Sequence, residues 1–313
     1  MDTKSMIILG NGFDVALGIE TRYSQFYEKS RELREFARKG NSLCQHILDN
    51  IKGEYWSDLE CGLYKYSLAI SKKYGKGNQV QADRFKYEFN ELRTALFCYL
   101  QSAAHAQIEI DTQSPVLGLN IEWRKLEPQY LTFNYSINTA NTSSMNGRYI
   151  LNPDDSINEN HFIYQHGSIY DTQACQNKKP RDIVVGIDPS FQTVEDAHSF
   201  LYKTNQQLHN LKLTIDFIKE KNFYAVYGCS VGDSDATYFR TIFNQYQHDK
   251  IFLIYGFGQD AIRSIKINIE RICSIGIDTL EKNNRVFFLD VKQVEQTRRI
   301  TNEVIDKYLK SMA

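Results

Sequence analysis

The chain of 313 residues carries a net charge of -1, with 42% hydrophobic and 24% charged residues, a balance that suits a soluble globular fold of one large or two ordinary domains. Without a basic surplus, bulk DNA or RNA is not the expected partner, and a small ligand is. No apolar run approaches the roughly 20 residues that a bilayer span needs, so no membrane contact is expected.

The opening Met-Asp-Thr-Lys-Ser-Met shows no leader pattern before the first strand-like run, and the chain is read as cytoplasmic. The six cysteines, Cys44, Cys61, Cys98, Cys175, Cys229 and Cys273, form no C-x-x-C pair. They read as reduced core thiols, and no metal site is expected.

In chain order, the first apolar run is 6–9. It breaks at Gly10-Asn11-Gly12-Phe13-Asp14 and enters a helix-like segment. Two glycines let a backbone turn sharply, and the N-terminus of a following helix offers N–H groups to a phosphate. The alternative is an ordinary βα turn. The third glycine of the dehydrogenase fingerprint would fall at Val15, so hydride transfer is not indicated. Asp14 is a poor neighbour for phosphate; it either caps the helix or accepts a ribose hydroxyl.

A long helical stretch follows. Thr21 is placed to cap a helix over 22–39 with Gly40 past its end, and Asp83 precedes apolar residues at helical spacing from Phe85 to Leu100. This stretch is too long for a simple crossover and reads as a helical insertion or cap at about 22–125. Ligands of open α/β sheets sit outside the carboxyl ends of the strands, where such a cap could cover them.

Further apolar runs at 130–133, 162–164, 183–187, 223–227, 251–255 and 286–289 bring the expected strands to about seven. Most are continuous, as in strands buried on both faces. Helical patterns at 194–219 and 259–275 lie between them. The expected fold is a single Rossmann-like α/β domain over 1–313 with a mostly parallel sheet.

Three of these runs end in residues with chemistry. Asn134 follows the run 130–133 and either faces a ligand or caps the next turn. His166 precedes Gly167, and imidazole suits proton transfer near neutral pH, though a structural histidine is the bland reading. Gly228-Cys229-Ser230-Val231-Gly232-Asp233-Ser234-Asp235 offers small, hydroxyl-bearing and acidic side chains to a ribose or phosphate, or else caps a helix.

Taken in this order, the motifs resemble the bacteriophage abortive infection AbiH family. They are Gly10-Asn11-Gly12-Phe13-Asp14, Thr21-x-Tyr23-x-x-Phe26, Trp56-Ser57-Asp58-Leu59-Glu60, Phe133-Asn134-Tyr135, His166-Gly167 and Gly228-x-Ser230-x-x-x-x-Asp235. That family is similar in turn to sirtuin-like NAD-binding domains. The resemblance implies NAD or a related nucleotide as substrate or ligand and no further cofactor. The loop at Gly10, Asn11, Gly12, Phe13 and Asp14 would bind the dinucleotide. Asn134 and His166 would flank the nicotinamide ribose as catalytic residues, and Gly228, Ser230 and Asp235 would hold the adenosine side. Glu60 is a further carboxylate within reach, or a surface charge.

The implied activity is an NAD glycohydrolase of antiphage defence; the alternative is a non-catalytic NAD or ADP-ribose sensor or scaffold. A second copy of the chain or a phage-derived trigger protein are the macromolecular partners to be expected. Asn11 and Asp14 stand where sirtuin-like domains usually have Ala and Ser, and Cys229 stands where the family commonly has His. The four-cysteine zinc module of protein deacylases is missing, which argues against an acyl-lysine substrate.

Overall fold

A computed structural model describes residues 4–50, 59–105, 114–136, 162–169, 183–190, 192–206, 211–244 and 250–312. Six strands, β1 (Ser5–Leu9), β2 (Gln129–Thr132), β3 (Phe162–Tyr164), β4 (Phe223–Tyr227), β5 (Ile251–Gly256) and β6 (Arg285–Asp290), form one sheet in the order β3-β2-β1-β4-β5-β6. Every neighbouring pair is parallel. This is the doubly wound, Rossmann-like order, with its reversal between β1 and β4.

Both faces of the sheet are covered, so its strands are apolar on successive residues. Ile7 and Leu9 pack with Trp123, Ile305 and Tyr308; Met6 and Ile8 pack with Phe239, Ile242 and Ile269 on the other face. Among the described residues no helix is long and apolar enough to cross a membrane.

Between β1 and β2 the described chain is helical: α1 (Gly12–Ala16), α2 (Tyr23–Lys29), α3 (Arg31–Arg38), α4 (Ser42–Asp49), α5 (Leu59–Tyr74), α6 (Gln79–His105) and α7 (Pro115–Arg124). Helices α2 to α6 share a core of their own, with Phe26, Leu33, Leu43, Leu59, Leu63, Phe85, Phe89 and Leu92 buried in it. Helix α7 instead lays Trp123 on the sheet.

The single helix expected over 22–39 is two. Ser30 is extended, and its Oγ accepts from the Leu33 N–H at 3.1 Å to start α3. Thr21 caps nothing; its hydroxyl donates to Asn11 Oδ1 at 2.5 Å. Asp83 does not precede α6 but lies within it, and Asn78 Oδ1 accepts from Gln81 N–H at 3.2 Å ahead of it. Trp56, Ser57, Asp58 and Cys175 lie outside the described residues.

The run 183–187 is not a seventh strand. It makes two isolated bridges, Gly167 to Ile183 and Ile187 to Tyr202. Its residues are apolar because Ile183, Val185 and Ile187 are buried in the helical core, and burial alone does not distinguish a strand from a buried loop. The expected helix over 194–219 begins as a 3-10 helix (Asp196–Leu201) that ends at an extended Tyr202; α8 (Lys203–Gln206) and α9 (Leu211–Lys219) follow, and 207–210 lie outside the described residues. The expected helix over 259–275 is present as Gln259–Cys273.

At the reversal point the loops after β1 and β4 touch backbone to backbone. A Cβ on Gly12 would stand 2.6 Å from Gly228 Cα, and one on Gly10 would stand 2.5 Å from Gly228 O. Gly228 itself has φ +69, and a Cβ on it would meet Phe13 N at 2.5 Å. Gly228→Ala therefore combines left-handed strain with a backbone clash and should cost roughly 2–5 kcal/mol. Gly40 has φ +96 but open space around it, so Gly40→Ala should cost only about 1–2 kcal/mol. Denaturant unfolding of the two variants checks the order; equal losses would mean the loops yield freely.

Candidate functional site

A cavity of about 480 Å³ opens where the carboxyl ends of β1 and β4 diverge. The loops after β1, β2, β3 and β4 form its floor; Arg22, Tyr23 and Ser24 at the start of α2, Glu60 of α5, and Leu96 and Leu100 of α6 form its helical wall. Of the residues singled out in the sequence, Gly10, Asn11, Asp14, Asn134, His166, Gly228, Ser230 and Asp235 line it. Gly12 and Phe13 do not. Gly12 is pressed on Gly228, and Phe13 turns into the sheet core against Tyr227, ring centroids 6.3 Å apart.

In the glycine loop, three N–H groups already have backbone partners. Gly10 N–H donates to Tyr227 O, Gly12 N–H to Gly228 O and Phe13 N–H to Gly10 O, each at 2.9 Å. The first two join β1 to β4, and the third closes the loop on itself. The Asn11 side chain is likewise occupied, since Oδ1 takes the Thr21 hydroxyl and Nδ2 donates to Thr21 O at 3.3 Å. It fastens the loop to the chain entering α2.

Asp14 is a buried node and not a helix cap. One carboxylate oxygen accepts from Asn134 Nδ2 at 3.0 Å, and the other accepts from Ser136 Oγ. Burial pushes its carboxyl up from the ordinary 3.8 to about 6, against the pull of hydrogen bonds from Ser136, Thr21 and Asn134. With Nδ2 held this way and its own N–H bonded to Thr132 Oγ1 at 3.0 Å, Asn134 is fixed at the end of β2. Its Oδ1 is buried and has no partner among the described residues. A buried acceptor left unpaired costs roughly 1–3 kcal/mol, which a ligand hydroxyl or water in the cavity would recover.

The second cluster centres on His166. Its Nε2 lies 2.9 Å from Asp235 Oδ1 and 3.3 Å from Lys203 Nζ; Lys203 Nζ lies 3.0 Å from Asp235 Oδ1 and 3.8 Å from Glu60 Oε1. Glu60 in turn accepts the Tyr23 hydroxyl at 2.9 Å. Burial first, and the Lys203 ammonium second, hold His166 below the ordinary imidazole value despite Asp235. Burial alone would raise Asp235 and lower Lys203. Lys203 and His166 outweigh it for Asp235, which is held far below the usual carboxylate range, and Asp235 and Glu60 outweigh it for Lys203, which is raised. Near neutral pH this is an ion pair of Lys203 and Asp235 around a neutral imidazole.

Glu60, at 6% exposure, is thus a buried member of the site and not a surface charge. Asp235 stands beside His166, and its remaining oxygen accepts from Ser234 Oγ at 3.3 Å. Lys203, Tyr23, Ser136 and Thr21 were not foreseen as site residues. Nothing in Leu201-Tyr202-Lys203-Thr204 marks this lysine; only the fold brings it to His166.

The family model of bacteriophage abortive infection AbiH matches residues 6–257, a span that holds β2 to β5, all of β1 but Ser5, and every residue lining the cavity. Among curated proteins nothing matches. The chain belongs to the AbiH family, and its role is accordingly in bacteriophage abortive infection.

The raised Asp14 carboxyl has a measurable consequence. Below its ordinary 3.8 it is protonated whether the chain is folded or not, and above about 6 it is ionised in both states. Between these values the folded state keeps a proton that the unfolded state has lost, so Asp14 takes stability away as pH rises through that window. Asp14→Asn removes the titration. Its stability relative to the parent should improve by about 3 kcal/mol between pH 4 and pH 7, read by chemical denaturation. A difference that does not vary with pH would contradict this assignment.

Proposed function

On the premise of AbiH membership, we propose that this chain hydrolyses the nicotinamide–ribose bond of NAD, giving nicotinamide and ADP-ribose, and so acts in abortive infection. The observation that carries the reading is the unpaired Oδ1 of Asn134, clamped by Asp14 in a cavity at the switch point that also holds a neutral histidine.

The reaction asks little covalent help, because nicotinamide leaves as a neutral molecule from a cationic ring. Water oxygen bonds to the ribose anomeric carbon, the glycosidic electron pair passes to the pyridine nitrogen, and the water proton goes to His166 Nε2 and then to solvent. Asn134 Oδ1 accepts from a ribose hydroxyl or from the attacking water, a positioning role. The ionised Asp235 favours the positive charge that develops on the sugar. With the N–H groups of Gly10, Gly12 and Phe13 bonded within the fold, Arg22 at the cavity wall and the Ser230 hydroxyl would meet the pyrophosphate and the adenosine side. An enzyme that consumes NAD must stay silent until infection, which fits a phage-derived trigger or assembly of several copies.

One observation favours the second reading, a nucleotide sensor that does not cleave. His166 Nε2 already sits between Asp235 and Lys203, so a water must displace Lys203 before it can give up a proton.

The test is the NAD content of infected bacteria carrying the parent chain, His166→Ala or Asn134→Ala, together with nicotinamide release by the purified proteins. Loss of a positioned base costs about 10²–10⁴-fold, so each variant should keep at most about 1% of the parent's NAD consumption. Native-like melting and retained NAD binding would go with it. NAD held at its uninfected level by cells with the parent chain, with NAD still bound by the protein, would establish the sensor instead.

A further inference from the structure

We propose that Lys203 is a positioning residue for the reaction at His166: its ammonium occupies the Nε2 side of the ring and keeps that nitrogen empty until the substrate's proton arrives, and Asp235 then holds the loaded ring. This rests on the hydrolytic reading of the site and adds to it a residue that neither the sequence pattern nor the family match points to.

The geometry is specific. Lys203 is 3% exposed, in the four-residue α8, and its Nζ reaches His166 Nε2, Asp235 Oδ1 and Glu60 Oε1 at 3.3, 3.0 and 3.8 Å. Its position is set by the segment 183–187, which runs from the histidine to the lysine. Val184 N–H donates to His166 O at 2.8 Å, Ile187 N–H to Leu201 O at 2.9 Å, and Lys203 N–H to Ile187 O at 3.0 Å. Gln206, at the end of α8, donates through Nε2 to Val185 O at 2.8 Å. A Cβ on Gly186 would stand 2.0 Å from Leu201 O, so no side chain fits between the two segments at this seam. The buried loop that looked like a strand in the sequence is the brace between base and cation.

The electrostatics follow from which groups face the imidazole. Lys203 Nζ, an ammonium that can only donate, lies 3.3 Å from Nε2, so that nitrogen is its acceptor. Asp235, from the turn before the helix Ala236–Phe243, and Lys203, from α8, both meet Nε2. Glu60 of α5 stands behind Lys203 with the Tyr23 hydroxyl on it, and the Tyr135 ring lies 5.9 Å from the imidazole, centroid to centroid. Without Lys203, Asp235 would be the one charge in contact with Nε2, and the ring would take its proton from solvent at higher pH and arrive at the reaction already occupied. With Lys203 in place, the resting ring is neutral, and the same Asp235 is 2.9 Å from Nε2 to receive the N–H once a proton has been transferred.

The experiment follows the His166 ring by carbon-13 and proton NMR titration in the parent protein, Lys203→Met and Lys203→Arg, without any nucleotide. Removing a cation this close should move the His166 midpoint upward by about 1–3 pH units in Lys203→Met, while Lys203→Arg, which keeps the charge, should stay near the parent. Should Lys203→Met fail to fold, Glu60→Gln with Lys203→Met removes an anion along with the cation and carries the same readout. A folded variant lacking the cation whose His166 midpoint is unchanged or lower would overturn the proposal. The acid limb of nicotinamide release, measured on the same proteins, should move with the NMR midpoint. An upward NMR shift with NAD held at its uninfected level in infected bacteria carrying the parent chain would support the placement of Lys203 and refute the hydrolytic reading, so the two can fail separately.

Discussion

Gly12 lies so close to Gly228 that a Cβ on it would stand 2.6 Å from the Gly228 Cα, and the N–H groups of Gly10 and Gly12 are spent on carbonyls of Tyr227 and Gly228. No side chain fits between the two loops. This contact extends the pairing of β1 and β4 beyond their last residues and fixes the mouth of the cavity at the reversal of strand order. Everything chemical is then hung from loops of defined position. Asp14 follows the first glycine loop, Asp235 follows the second, and Asn134 and His166 end the two strands on the other side. Loops held this way keep their side chains in fixed relative positions, which is the preorganisation that positional catalysis needs.

The second constraint is charge. Three buried or nearly buried carboxylates, Asp14, Glu60 and Asp235, face one cavity. A buried carboxylate must be paired, hydrogen-bonded or neutralised. Asp235 and Glu60 share Lys203, and the ion pair joins the helical region to the sheet through Tyr23, Glu60, Lys203 and Asp235. Asp14 has no cation within reach in these contacts and is met by neutral donors alone, so its carboxyl is raised where that of Asp235 is lowered. Burial raises both aspartates; the lysine beside Asp235 outweighs it, and the amide and hydroxyl on Asp14 do not.

Much of this was legible from residue order, and for physical reasons. A strand buried on both faces reads as a continuous apolar run, so β1, β2, β4 and β5 stand out, and the strand ends that carry Asn134, His166 and Ser230 meet at one cavity. What was illegible depends on long-range contact. Glycine serves equally for close approach to a ligand and to another backbone, so the contact of the first glycine loop with Gly228 has no mark in the local sequence. The run 183–187 has the composition of a strand, yet its hydrogen bonds go to His166 and Leu201 instead of a neighbouring strand. Lys203 has no signature at all, since a buried lysine and a surface lysine are written with the same letter and similar neighbours. Glu60 was ambiguous between surface and site until α5 and Lys203 were seen together.

The central claim is that a ribose hydroxyl completes the buried acceptor of Asn134. The most direct measurement is a crystal structure of the protein with ADP-ribose. The account predicts the ribose next to the cleaved bond in the switch-point cavity, with a hydroxyl oxygen at hydrogen-bond distance from Asn134 Oδ1 and the Asn134–Asp14 contact intact. ADP-ribose bound outside this cavity, or inside it with Asn134 Oδ1 still unpaired, would contradict it.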